Sequence, residues 1–237
     1  MPSANVCSPD AGGKKKRSSD IDVFHAWMVE GAKFEGQYDL PALKPCSIEP
    51  AGLISFPEAM SSKCTNYEKV VHFYVDDFRF ESFWNRPHMY LDKLKRYQGV
   101  IEPDYSTCPN FPAPLKIYNA YRNRACAYWL QTNGINVIPN VRCEVDTVDW
   151  ALAGIPRKAT IAIGANGCIK HRDNRERFVA SLRLAVDALK PTTIVMYGSD
   201  SHGTFDYPRS LGISVLVFPS DAFHHSGGGC DELQVQQ

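Results

Sequence analysis

Ile101-Glu102-Pro103-Asp104 and Val137-Ile138-Pro139-Asn140 repeat one short pattern: two mostly apolar residues, a proline, then a polar residue. Ser55-Phe56-Pro57-Glu58 and Val217-Phe218-Pro219-Ser220 repeat it again. Each copy closes a run rich in β-branched residues. Proline has no N–H to give to a ladder, so it marks where a strand leaves its sheet. If the strands are parallel, all these ends lie on one side, and Glu58, Asp104, Asn140 and Ser220 face a shared crevice. That edge is where parallel α/β folds bind ligands.

Working outward, the apolar runs are 52–56, 70–75, 99–101, 135–138, 160–163, 193–197 and 213–218. Several are apolar throughout, as expected of parallel strands covered on both faces. Between them lie amphipathic stretches at 81–97, 114–132 and 175–189, the second stopped by Asn133-Gly134 and the third by Lys190-Pro191. Strand and helix in alternation predict an α/β fold of repeated βα units with a mainly parallel sheet, distorted and (β/α)-barrel-like. An open doubly wound sheet is the alternative, since seven strands fall one short of a barrel. Residues 1–20, with Lys14-Lys15-Lys16-Arg17, read as a disordered basic tail, 21–222 as one α/β domain, and 223–237 as a flexible C-terminal tail.

Lysine plus arginine equals aspartate plus glutamate at 26 each, so the chain as a whole has no basic field directed at nucleic acid. No run of 18 apolar residues and no apolar leader segment occur, which predicts a cytoplasmic protein with no membrane partner. The eight cysteines contain no C-x-x-C pair and read as reduced thiols, with Cys126 as core filler.

Candidate chemistry gathers at the strand ends. Asp76-Asp77-Phe78-Arg79-Phe80-Glu81 puts adjacent carboxylates after the second run, and Asp104 adds a third one run later. Such oxygens suit magnesium or manganese; helix capping and surface pairing account for them equally. Ser106 offers a hydroxyl in the crevice or merely opens a turn. Arg122 and Arg124 suit an anion clamp or a solvated helix face, and Arg142, just past Asn140, is better placed for a substrate phosphate. The glycine loops Gly164-Ala165-Asn166-Gly167 and Gly198-Ser199-Asp200-Ser201-His202-Gly203 match neither common phosphate-loop pattern. There is no G-x-S-x-G elbow and no H-E-x-x-H. His224-His225 precedes Gly227-Gly228-Gly229, and the two-histidine motif of rolling-circle nicking enzymes is missing.

Tyr121-Arg122-Asn123-Arg124, Tyr128-Trp129-Leu130-Gln131 and Gly134-Ile135-Asn136-Val137-Ile138-Pro139-Asn140-Val141 together resemble the centre of the domain of unknown function 4417 family. Ile101–Ser106 upstream, and Leu189-Lys190-Pro191 with Tyr197-Gly198 downstream, follow the same order. The resemblance spans roughly residues 50–200. It implies a protein of bacteria, phages or other mobile elements and implies no particular reaction.

The expectation is an enzyme on a phosphate-containing substrate, a nucleotide or nucleic acid. Asp76, Asp77 and Asp104 would be the catalytic carboxylates, with magnesium or manganese as candidate cofactor. Arg79, Ser106, Arg122, Arg124, Asn140 and Arg142 would bind substrate. The competing expectation is a non-catalytic phage or mobile-element module that holds a host protein or small ligand in the same crevice.

Overall fold

The computed structural model describes residues 22–220. The tails expected at 1–20 and 223–237, with His224-His225, lie outside the described residues. A short antiparallel hairpin comes first, β1 (Phe34–Glu35) with β2 (Leu40–Pro41), which the sequence reading did not anticipate. Seven parallel strands follow: β3 (Leu53–Ser55), β4 (Val70–His72), β5 (Gly99–Ile101), β6 (Val137–Ile138), β7 (Thr160–Gly164), β8 (Thr193–Tyr197) and β9 (Ser214–Phe218). Each falls inside, or within a residue of, one expected run.

The strands pair in chain order, β3-β4-β5-β6 and β7-β8-β9, all parallel. A parallel bridge between Asn140 and Ala162 joins the two groups. There the Val141 N–H donates to the Ala162 carbonyl, and the Ala162 N–H to the Pro139 carbonyl, both at 2.8 Å. Sequential order has no reversal point, so the doubly wound alternative does not describe the sheet.

The sheet curls strongly. His72 on β4 and Tyr197 on β8 stand four strand spacings apart, about 19 Å if the sheet were flat. Their ring centroids are 4.4 Å apart, and Tyr74, just past β4, stacks on Tyr197 at 5.1 Å. Two strands so distant in order can touch only across the inside of a bent sheet. Among the described residues no ladder joins β9 back to β3, so pairing does not close a barrel.

Helices cover the outer face. α4 (Ala113–Thr132) begins after Pro112 and ends at Gly134, whose φ of +81° suits a residue without a side chain; the Ile135 N–H then donates back to the Leu130 carbonyl. α6 (Arg172–Leu189) ends on Lys190 in the left-handed region, followed by Pro191. The single helix expected over 81–97 is two, α2 (Glu81–Asn85) and α3 (His88–Leu94). Pro87 is the reason: its ring drives Arg86 out of helical geometry to φ −146°, ψ 57°. α1 (Phe56–Ala59), α5 (Val148–Ala151) and α7 (Asp206–Ser210) are single turns. At the first strand-end copy, Pro57 lies in the first turn of α1, a position that needs no N–H.

Three apolar clusters hold these layers. Phe56, Phe73, Phe83, Leu94, Trp129 and Leu130 fill the space between β3–β5 and α1–α4. Ile161, Ile163, Leu182, Ala185 and Val186 do so between β6–β8 and α6. Inside the curl, Val70, Ile101, Ile138, Ala162 and Val195 form a third cluster with Cys46. A fully buried side chain of this kind contributes roughly 1.5–3 kcal/mol. Segment 46–49 closes the lower, amino-terminal end of the curl. The Cys46 carbonyl accepts from the Thr160 N–H (2.8 Å), Glu49 Oε1 accepts from Thr193 Oγ1 (3.4 Å), and Ile48 fills the place a side chain would need on Gly99. The carboxyl-terminal rim is the end available to a ligand. No helix among the described residues is long and apolar enough to cross a membrane.

Candidate functional site

A pocket of about 360 Å³ opens at that rim, between the ends of β4–β7 and the middle of α6. Its polar side holds Tyr74, Asp76, Asp104, Ser106, Asn140, Arg142 and Asn166, and its apolar side Val141, Ile163, Phe178, Leu182 and Ala185. Strand alternation explains the division. Asn140 and Gly164 continue the inward-facing register of Ile138 and Ala162, while Val141 and Ile163 face the helix layer.

The centre of the polar side is one chain of hydrogen bonds. The Tyr74 hydroxyl donates to Asn140 Oδ1 (2.9 Å), Asn140 Nδ2 donates to Asp104 Oδ1 (2.8 Å), and Arg142 Nη1 donates to Asp104 Oδ2 (2.7 Å). The Asp104 side chain is 14% exposed and that of Arg142 38%. Burial pushes the Asp104 carboxyl above the ordinary aspartate value, against the opposing pull of Arg142 and Asn140. Tyr74 reaches this position because β7 carries Gly164 opposite it. A Cβ there would lie 2.8 Å from the tyrosine ring.

Below Tyr74, inside the curl, His72 is 1% exposed. Its Nδ1 accepts the Tyr74 N–H (3.2 Å), so the remaining proton sits on Nε2, which has no partner among the described residues. Burial lowers the imidazole to about 3, and it is neutral at physiological pH. The two thiols in the pocket lining are also pushed up by burial, Cys143 to about 12 and Cys168 in the same direction. Neither is a ready nucleophile. The six described cysteines are free, and Cys126 is wholly buried in the core.

Residues 32–213 match the model of a family described as a domain of unknown function, DUF4417. The chain belongs to the DUF4417 family. Two similar relatives are the "Gene 1 protein" of Mycobacterium phage L5, 35% identical over 191 residues, and that of Mycobacterium phage D29, 32% identical over 189. The first match covers 74% of this chain and 82% of the relative; the second covers 73% and 68%. Among solved structures, a GH138 enzyme targeting pectin rhamnogalacturonan II is similar at a TM-score of 0.36 and 12% identity. That similarity covers 73% of this chain and 26% of the other.

The motif Arg122-Asn123-Arg124 that carried the family resemblance is built into the scaffold of this DUF4417 protein. Its three side chains hold the loop after β5. Arg124 pairs with Glu102 in the interior and donates to the carbonyls of Ala151 (3.0 Å) and Ala153 (3.1 Å). Glu102 in turn accepts the Asn140 N–H at 2.8 Å. Asn123 Oδ1 accepts the Tyr105 N–H (2.8 Å), and Arg122 lies 3.6 Å over the Tyr105 ring while pairing with Glu81 at 2.5 Å. Arg122 and Arg124 were expected to bind substrate; instead both are occupied within the fold, outside the pocket lining.

Of the other expected residues, the pocket gathers Asp76, Asp104, Ser106, Asn140 and Arg142. Asp77 sits at its edge with both oxygens on Ser106, at 3.2 Å from the N–H and 3.1 Å from the hydroxyl. Arg79 and Glu58 are exposed and outside the lining; Ser220 is buried and also outside it. Among the described residues no three His, Cys, Asp or Glu side chains converge to hold a metal ion. The sequence reading missed Tyr74, Phe178 and Ser181. Tyr74 was legible in principle, two residues before Asp76 at the end of an apolar run. The other two lie on a helix, where nothing local separates a pocket wall from core.

Proposed function

We propose that this DUF4417 protein is an enzyme acting on a phosphate-containing substrate, a nucleotide or nucleic acid, in the strand-end pocket. One observation carries the reading: Asp104, a mostly buried carboxylate, is bonded to Arg142 at the pocket and aligned by Asn140. Among the described residues Arg142 is the only arginine in the pocket lining, and its planar fork suits a phosphate. When a phosphate draws the guanidinium away, Asp104 loses its cation and becomes a stronger base inside the same cavity. It then takes a proton from the substrate's nucleophile or from water. Ser106 and Asn140 orient the substrate. Asp77 and Asp104 each use both oxygens on protein donors, so the roles assigned here rest on the acid–base pair and assign no metal ligand.

The test is binding of inorganic phosphate and nucleoside monophosphates, followed by calorimetry and thermal shift, with and without magnesium or manganese. Arg142→Gln should weaken binding at least tenfold. Asp104→Asn should keep binding and lose turnover. Equal binding by Arg142→Gln and the parent protein would end the reading. The second reading, a phage module that holds a host protein, is favoured by Phe78, 80% exposed on the loop after β4. Loss of that partner on Phe78→Ser, with no turnover of any phosphate compound, would establish it instead.

A further inference from the structure

The pocket has an apolar side that the anion site does not use. It lies between β6–β7 and α6, formed by Val141, Ile163, Phe178, Leu182 and Ala185. Ser181 lies on the same face of α6 and is 5% exposed, yet its hydroxyl has no hydrogen-bond partner among the described residues. That is unusual for a helical serine, which commonly bonds to the carbonyl four residues earlier, here Arg177. A buried hydroxyl without a partner costs about 1–3 kcal/mol, a cost a ligand atom at that place would remove.

An apolar slot with one hydroxyl, next to an arginine-bearing mouth, matches a molecule with two unlike ends. We infer that the slot is a nucleobase subsite. It takes the heteroaromatic ring of a nucleoside monophosphate whose phosphate lies at Arg142. The ring contacts Phe178 and Leu182, and a ring nitrogen or exocyclic group bonds to the Ser181 hydroxyl. This rests on the phosphate reading above and narrows it to a free mononucleotide or a single nucleotide accommodated at the pocket. Both ends of such a ligand fall within one cavity, and pockets of this order typically enclose small ligands.

The experiment compares four probes on the full chain by titration calorimetry: AMP, CMP, ribose 5-phosphate and inorganic phosphate. At least one nucleotide is expected to bind about tenfold or more tightly than ribose 5-phosphate, which carries the phosphate and sugar alone. Ser181→Ala should remove several-fold of that advantage and leave ribose 5-phosphate unchanged. Ser181→Val, which pushes a methyl into the slot, should remove more. Circular dichroism confirms that both variants fold. If ribose 5-phosphate binds as tightly as both nucleotides, the subsite is overturned while the anion site stands. If no phosphate compound binds, the anion reading fails and the subsite with it. If the nucleotide advantage persists in both Ser181 variants, the ring lies elsewhere and the inference is overturned.

Discussion

At the scale of single residues, His72 is the side chain with the most to lose on acidification. It is neutral in the fold because burial lowers it to about 3, whereas an unfolded chain holds histidine near 6.5. Between those values the unfolded state binds a proton that the folded state does not. Stability from this group is therefore intact above about pH 6.5 and falls as pH drops toward 3, by about 1.4 kcal/mol per unit at most. Asp104 has the opposite sense, since burial raises its carboxyl and the fold takes up its proton before the unfolded chain does. Comparing the parent with His72→Phe isolates the imidazole: the parent should lose about 1.6 kcal/mol more between pH 6.5 and pH 5 in urea titrations. Equal acid limbs would show that the imidazole reaches solvent. At the rim, Gly164→Ala puts a methyl 2.8 Å from the Tyr74 ring. It should destabilise by about 1–3 kcal/mol and disturb the Tyr74–Asn140 bond, read from thermal unfolding and phosphate binding together. Asp104 and Arg142 were legible in the sequence because each sits within three residues of a strand-ending proline. Tyr74 was legible only as the end of an apolar run, since the space it fills is left by Gly164 far along the chain, and Ser181 was not legible, because the strand ends it faces are distant in sequence.

At the scale of elements, the seven parallel strands were legible and the short β1–β2 hairpin was not. Short runs rich in β-branched residues and bounded by turn signals are what parallel strands covered on both faces leave in a sequence. The break at Arg86-Pro87 was equally visible and simply outranked in the reading by the apolar spacing across it; proline's steric effect on its predecessor wins over periodicity. The role of the 122–124 motif could not be read locally. Whether an arginine on a helix meets water, substrate or a buried glutamate depends on the partner, and Glu102 lies 22 residues away, behind the strand it ends. The pair is buried, so removing one member leaves an uncompensated charge. Arg124→Met should cost about 3–5 kcal/mol, while the double variant Arg124→Met with Glu102→Leu should recover a large part of it. A double-mutant cycle in guanidinium measures this, and additive costs would mean that the pair is not coupled. Phosphate affinity should fall in Arg124→Met as well, because Glu102 also holds the Asn140 backbone.

At the scale of the molecule, the curl decides which residues become neighbours. A flat sheet of the same order would leave His72 and Tyr197 on opposite flanks and leave Tyr74 nothing to stack on. Composition and periodicity gave the parallel sheet and a preference for a barrel-like form, but the degree of bending is a collective property of seven strands and their inward residues. The lower closure is similarly collective. Ile48→Asp should loosen the contacts of segment 46–49 with β5, β7 and β8 together, and hydrogen exchange should speed at the Thr160 amide, which donates to the Cys46 carbonyl. Unchanged protection there would mean that the segment is an ornament and not a seal.

That seal also sets an order of events during synthesis. Because each strand pairs with the one made just before it, the sheet can be assembled from its first edge while the ribosome is still translating. Residues 46–49 emerge before any of this, yet two of their partners, Thr160 and Thr193, emerge more than a hundred residues later. The nascent protein must therefore carry its stopper loose through most of elongation, and the inside of the curl is shut from below only when the sixth of its seven parallel strands has left the exit tunnel.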